Sequence, residues 1–158
     1  MVKVRTGYQT TDSAVFIRMP EKTSSWNSNN GLPTVVTSLL QMNMVGYRYV
    51  MPDIIGGNGR GEHAPSKELF IRWLQATVFM PVLQFSHAPW DYDQETIDIS
   101  RRFVNLHAEH AEYIIKMFER KTKTGEPVNA PIWWLDPSDS VARTIDDGLY
   151  LGFRVTNR

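Results

Sequence analysis

The chain contains no cysteine, which excludes disulfides, thiolate metal sites and cysteine nucleophiles and leaves the compartment open. It has no excess of either charge: 17 basic and 17 acidic residues cancel, and neither sign gathers into a block. Without a basic patch, nucleic acid is not an expected partner. No stretch approaches the roughly 20 apolar residues of a membrane span. The N-terminus, MVKVRTGYQTTDS, also lacks the apolar core of a targeting signal. Internal repeats and low-complexity tracts are missing as well. What is present, 42% hydrophobic residues in a 158-residue chain, suffices for about one packed domain and argues against disorder.

Glycine and proline divide the chain into alternating elements. Val2 to Tyr8 and Ala14 to Met19 read as strands. Pro33 suits the first turn of a helix that carries Val36, Leu39, Leu40 and Met44 on one face and ends at Gly46. Tyr47 to Met51 is the next strand, followed by a glycine-rich loop from Asp53 to Pro65. Ser66 is placed to cap a helix with Leu69, Phe70, Trp73, Leu74 and Val78 along its buried face. Val82 to Phe85 reads as another strand. A long helix follows from about Gln94 to Lys121, with Gly125 and Pro127 beyond its end. Val128 to Leu135 reads as a last strand. This order predicts an α/β fold with a parallel sheet. Three and a half βα units do not close a barrel of eight, so the pattern by itself suits a small open sheet or a piece of a barrel.

No metal or cofactor signature is present. His107 and His110 share a helix face at i, i+3, but no carboxylate completes a ligand set. The run GGNGRG lacks the lysine and helix of a phosphate loop and is expected to be a mobile loop. Carboxylates at strand ends remain. Glu21 follows AVFIRM and Asp53 follows YRYVM, and in a parallel sheet both project from the carboxyl edge, where α/β barrels carry their chemistry. Paired acids suit glycosidic bond cleavage. Trp26, Trp73 and Trp90 offer aromatic faces for a sugar, although Trp73 sits on an apolar helix face and suits the core.

The ordered set MPDIIGG, ELFIRWLQ, FMPVLQFSHAPW and TGEPVNAPIWWLDPSD, spread over roughly residues 5 to 152, resembles glycoside hydrolase family 31. The resemblance implies a retaining α-glycosidase on a (β/α)8 TIM barrel. Residues 1–124 would be the C-terminal part of that barrel (strands 5 to 8 and their helices). Residues 125–158 would be the truncated start of a following β-sandwich domain. It implies general acid/base catalysis by Glu21, one methylene longer than the family's usual aspartate, and substrate contacts from Arg5 and Asp53. The family histidine aligns with Ser86, leaving the adjacent His87 as its substitute, with Trp90 beside it. The family's nucleophilic aspartate belongs upstream of Arg5, so the chain is expected to be a fragment without turnover of its own.

The implied partner is an oligosaccharide or glycoside substrate; no cofactor and no particular protein partner is implied. Relatives of this kind belong to the secretory pathway or to membranes, and this chain shows no signal for either. The alternative is a non-catalytic fragment that binds carbohydrate or a protein through the barrel edge. An unrelated small α/β domain is the remaining possibility.

Overall fold

The computed structural model describes residues 3–5 and 9–151. Three short strands, β1 (Lys3–Val4), β2 (Phe16–Arg18) and β3 (Val50–Met51), form a parallel sheet in the order β1-β2-β3. Ile17 pairs with Val4 on one side and Val50 on the other. An isolated parallel bridge between Ile55 and Phe85 continues the arc by one position. Helix α1 (Pro33–Met44) links β2 to β3, and α2 (Lys67–Thr77) follows β3, which is the repeated βα pattern of an α/β fold.

Local chemistry accounts for the helix ends. Pro33 occupies the first turn of α1, where its missing N–H costs nothing. Ser66 Oγ accepts the Leu69 amide at the start of α2. The longest helix, α3 (Gln94–Thr124), begins with Asp93 Oδ1 accepting from the Thr96 amide at 2.8 Å. It ends at Gly125, whose φ of 75° lets its amide close back on Lys121 O.

The core gathers Val35 and Leu39 of α1, Val50 of β3, and Leu69, Phe70, Trp73 and Leu74 of α2. Trp73, expected in the core from its helix face, has no exposed surface. The apolar stripe of α3 is buried only at Ile114 and Met117, while Ile99, Phe103 and Leu106 are half-buried. A helix of 31 residues runs for about 46 Å and outreaches this small sheet.

The strand expectations shrink on folding. The segment 82–85 contributes only the Phe85 bridge, because strand structure requires a partner and the sheet ends there among the described residues. Within 128–135 only β4 (Asn129–Ala130) is extended. Pro131 cannot donate to a ladder, and a 3-10 turn, Ile132–Trp134, follows it. β4 pairs antiparallel with β5 (Tyr150–Leu151), separately from the parallel sheet. Its amide at Asn129 donates to Asn43 Oδ1 of α1 at 2.7 Å. The expected strand from Val2 to Tyr8 is reduced to β1; its residues 2 and 6–8 lie outside the described residues.

Candidate functional site

Because β2 and β3 run parallel, their carboxyl ends deliver Glu21 and Asp53 to the same edge of the sheet. The two acids have opposite environments. Asp53 has no exposed side-chain surface. Its Oδ1 accepts from Arg18 Nη2 at 2.6 Å and from Arg18 Nε at 3.2 Å, and its Oδ2 accepts from the Lys22 amide at 2.6 Å. Arg18 precedes Glu21 by three residues and Lys22 follows it directly, so Asp53 holds the chain on both sides of Glu21. A sugar hydroxyl reaches this carboxylate only if the cover over it opens.

Glu21 faces outward. Its side chain is 45% exposed, and Oε1 lies 3.1 Å from Arg5 Nη2. Its carbonyl accepts from Asn30 Nδ2, closing the 21–30 loop at its base. The neighbouring Lys22 turns inward and donates from Nζ to Ser38 Oγ of α1 at 2.7 Å. Burial pushes the Lys22 amine below its ordinary range, against a smaller opposing pull from Asp53.

The glycine-rich loop is fastened, contrary to the mobile loop expected from its composition. Asn58 N donates to Lys22 O at 2.9 Å, and Gly59 N donates to Ser24 Oγ at 2.8 Å. Gly57, at φ +81°, passes so close to the 21–30 loop that a Cβ there would stand 2.8 Å from Ser24 N. Two backbones meet face to face, and only glycine allows it.

On the other side of this loop His87 Nε2 lies 2.9 Å from Gly59 O and 3.2 Å from Arg60 Nη1. One ring nitrogen cannot both donate to the carbonyl and accept from the guanidinium. Arg60 Nη1 also donates to Gly59 O at 2.9 Å, so this carbonyl has a donor in either tautomer. Trp90 lies on a 3-10 turn, Pro89–Asp91, with its side chain well exposed.

Thus Arg5 and Glu21 are in direct contact, Asp53 supports Glu21 through Lys22 and Arg18, and His87 connects to the same loops through Gly59. Trp90 shares a groove with His87. Arg18, Lys22, Ser24 and Gly59 were not anticipated as site residues. The available signal was Arg18, a charged residue inside an apolar strand. His107 and His110 form no metal pair: their Nδ1 atoms lie 2.7 Å from Val78 O and 2.9 Å from Leu106 O. Among the described residues no group of histidines and carboxylates is arranged to hold a metal, and no helix is long and apolar enough to cross a membrane.

Comparison with known proteins follows the same lines. Myogenesis-regulating glycosidase of Mus musculus is 35% identical over 161 residues, covering 96% of this chain and 22% of that protein. SITS-binding protein of Tetronarce californica is 34% identical, covering 89% of this chain and 20% of that one. The chain therefore spans about a fifth of the length of these relatives. Among solved structures, the cycloalternan-degrading enzyme from Trueperella pyogenes superposes with a TM-score of 0.84 at 18% identity, covering 96% of this chain and 23% of that one; this likeness concerns the fold. The family description "Glycosyl hydrolases family 31 TIM-barrel domain" matches residues 12–117, and the chain belongs to glycosyl hydrolases family 31.

Proposed function

We propose that this chain is part of a retaining α-glycosidase of carbohydrate metabolism, acting on α-glucosides or α-galactosides. Residues 1–124 are the last four βα units of the barrel, and residues 125–158 begin the β-domain that follows. The antiparallel pairing of β4 with β5, apart from the parallel sheet, supports that division.

The observation that carries the reading is the Arg5–Glu21 contact at the carboxyl edge of a family 31 barrel segment. Retaining cleavage requires one carboxyl group to attack and another, about 5 Å away, to protonate the departing oxygen. Glu21 is the proton donor and later draws a proton from water. Arg5, in contact with Glu21, binds the substrate beside it. His87 and Trp90 position the glycoside. Asp53 belongs to the sugar subsite, and its carboxylate fastens the backbone beside Glu21. The attacking aspartate belongs to an earlier barrel strand outside these 158 residues.

The test is hydrolysis of an aryl α-glycoside by the purified 158-residue chain. No turnover is expected; turnover that disappears in Glu21→Gln would show a complete catalytic pair within this sequence and overturn the assignment. A second reading, a non-catalytic fragment that binds carbohydrate or a protein, is supported by the exposed aromatic surface at Phe85 and Trp90. Binding of an α-glycoside that is insensitive to both Arg5→Ala and Glu21→Gln would favour it.

A further inference from the structure

Asparagine followed by glycine occurs twice in the chain, at Asn30–Gly31 and at Asn58–Gly59. Such a pair is chemically labile, because glycine has no Cβ to shield its backbone nitrogen from the asparagine carboxamide. Folding treats the two sites differently. Asn30 is tied at three points: Nδ2 donates to Glu21 O at 3.1 Å, its amide donates to Asn27 Oδ1 at 3.0 Å, and its carbonyl accepts from the Thr23 amide at 2.9 Å. Gly31 beside it is buried, and its amide donates to Asn27 O, a carbonyl that only accepts. Asn58, by contrast, is exposed, and among the described residues nothing bonds its carboxamide. Gly59 N donates to Ser24 Oγ at 2.8 Å. A hydroxyl both accepts and donates, so it can pass the amide proton on.

We propose that Asn58 is a deamidation site whose conversion unfastens the loop that carries Glu21. The proposal is independent of the glycosidase reading. Gly59 N gives up its proton through Ser24 Oγ to water and attacks Asn58 Cγ. A C–N bond forms, the Cγ–Nδ2 bond breaks, and Nδ2 departs as ammonia after taking a proton from water. Water then adds to one carbonyl of the resulting cyclic imide. Opening on one side gives an aspartyl residue. Opening on the other gives an isoaspartyl residue, whose main chain runs through Cβ and Cγ and is longer by one carbon. That carbon falls between the two bonds that join the loops, Asn58 N to Lys22 O and Gly59 N to Ser24 Oγ. A main chain lengthened between them does not keep both in register. The Lys22 amide keeps its bond to Asp53, while the brace from the glycine-rich loop is lost.

The experiment is incubation of the folded 158-residue chain in heavy-oxygen water at mildly alkaline pH, followed by tryptic digestion in ordinary water and mass spectrometry. Residues 49–60 form one tryptic peptide in which Asn58 is the sole asparagine. Labelled product is expected there about tenfold faster than at Asn30, whose carboxamide must first give up a hydrogen bond. The same ratio measured in urea, where neither site is held, separates the effect of folding from that of local sequence. The amide resonances of residues 22–25 should move in proportion to the isoaspartyl product formed. They should stay in place in Asn58→Gln carried through the same incubation; this variant keeps an uncharged carboxamide at an exposed position and retains the fold, which circular dichroism checks. A ratio in the folded chain no larger than that in urea overturns the site. Label at Asn58 with the resonances of 22–25 unmoved overturns the release of the loop.

Discussion

Arg18 and Asp53, 35 residues apart in sequence, meet as a buried ion pair with Nη2 2.6 Å from Oδ1. The arginine terminates β2 and the aspartate follows β3, so the pair exists only when the two strands are in register. Asp53 also receives the Lys22 amide, which makes one carboxylate the fastening for the whole turn that carries Glu21. Removing the cation alone leaves a desolvated carboxylate. Arg18→Met is therefore expected to lower stability by about 3–5 kcal/mol. The double change Arg18→Met with Asp53→Asn should cost less than the sum of the two single changes. Urea denaturation of the four proteins in the cycle measures this directly.

Gly57 is held at φ +81° against the backbone of Thr23 and Ser24. Gly57→Ala adds both left-handed strain and a steric conflict between two main chains. The expected loss is about 1–3 kcal/mol from the conformation alone. The amide resonances of residues 22–25 should move in the NMR spectrum, while those of α3 stay in place. Unchanged resonances at 22–25 would mean that the two loops are independent.

Trp73 fills the core with no exposure, and its Nε1 has no partner. Trp73→Ala should cost about 3–5 kcal/mol through the cavity it leaves. Trp73→Phe keeps most of the volume and removes the unpaired N–H, so its cost should stay below about 1.5 kcal/mol. Thermal or urea unfolding distinguishes the two; equal losses would contradict this account of the indole nitrogen.

At the start of α3, Asp93 bonds Lys67 Nζ and the Thr96 amide and hydroxyl. The Lys67 bond, followed by those of Thr96, holds its carboxyl down to about 2 from an ordinary 3.8. A folded value below the unfolded one stabilises the protein above the unfolded value, and that contribution fades as pH falls from about 4 towards 2. Asp93→Asn should therefore melt at a lower temperature than the parent at pH 6. The gap should narrow as pH falls through about 2, as read in melting curves across that range.

The helices were legible because their signals are local. Pro33, Ser66 and Gly125 mark their ends, and the Leu69, Phe70, Trp73, Leu74 spacing marks the buried face of α2. The strands were less so. VLQF and VNAPIWWL have strand composition, yet a strand needs a neighbour to pair with, and composition does not supply one. Phe85 finds only Ile55, and Pro131 ends the ladder after Ala130.

The site divided in the same way. The order of motifs was enough to indicate family 31, the parallel α/β layout and the strand-end positions of Glu21 and Asp53, since each of these follows from neighbours along the chain. Which acid is open and which is enclosed was settled by contacts across 31 and 35 residues, from Lys22 and Arg18 to Asp53. Composition made the glycine loop look free, and tertiary hydrogen bonds to Lys22, Ser24 and His87 tied it down. Burial and long-range pairing are properties of the packed chain, and no local pattern encodes them.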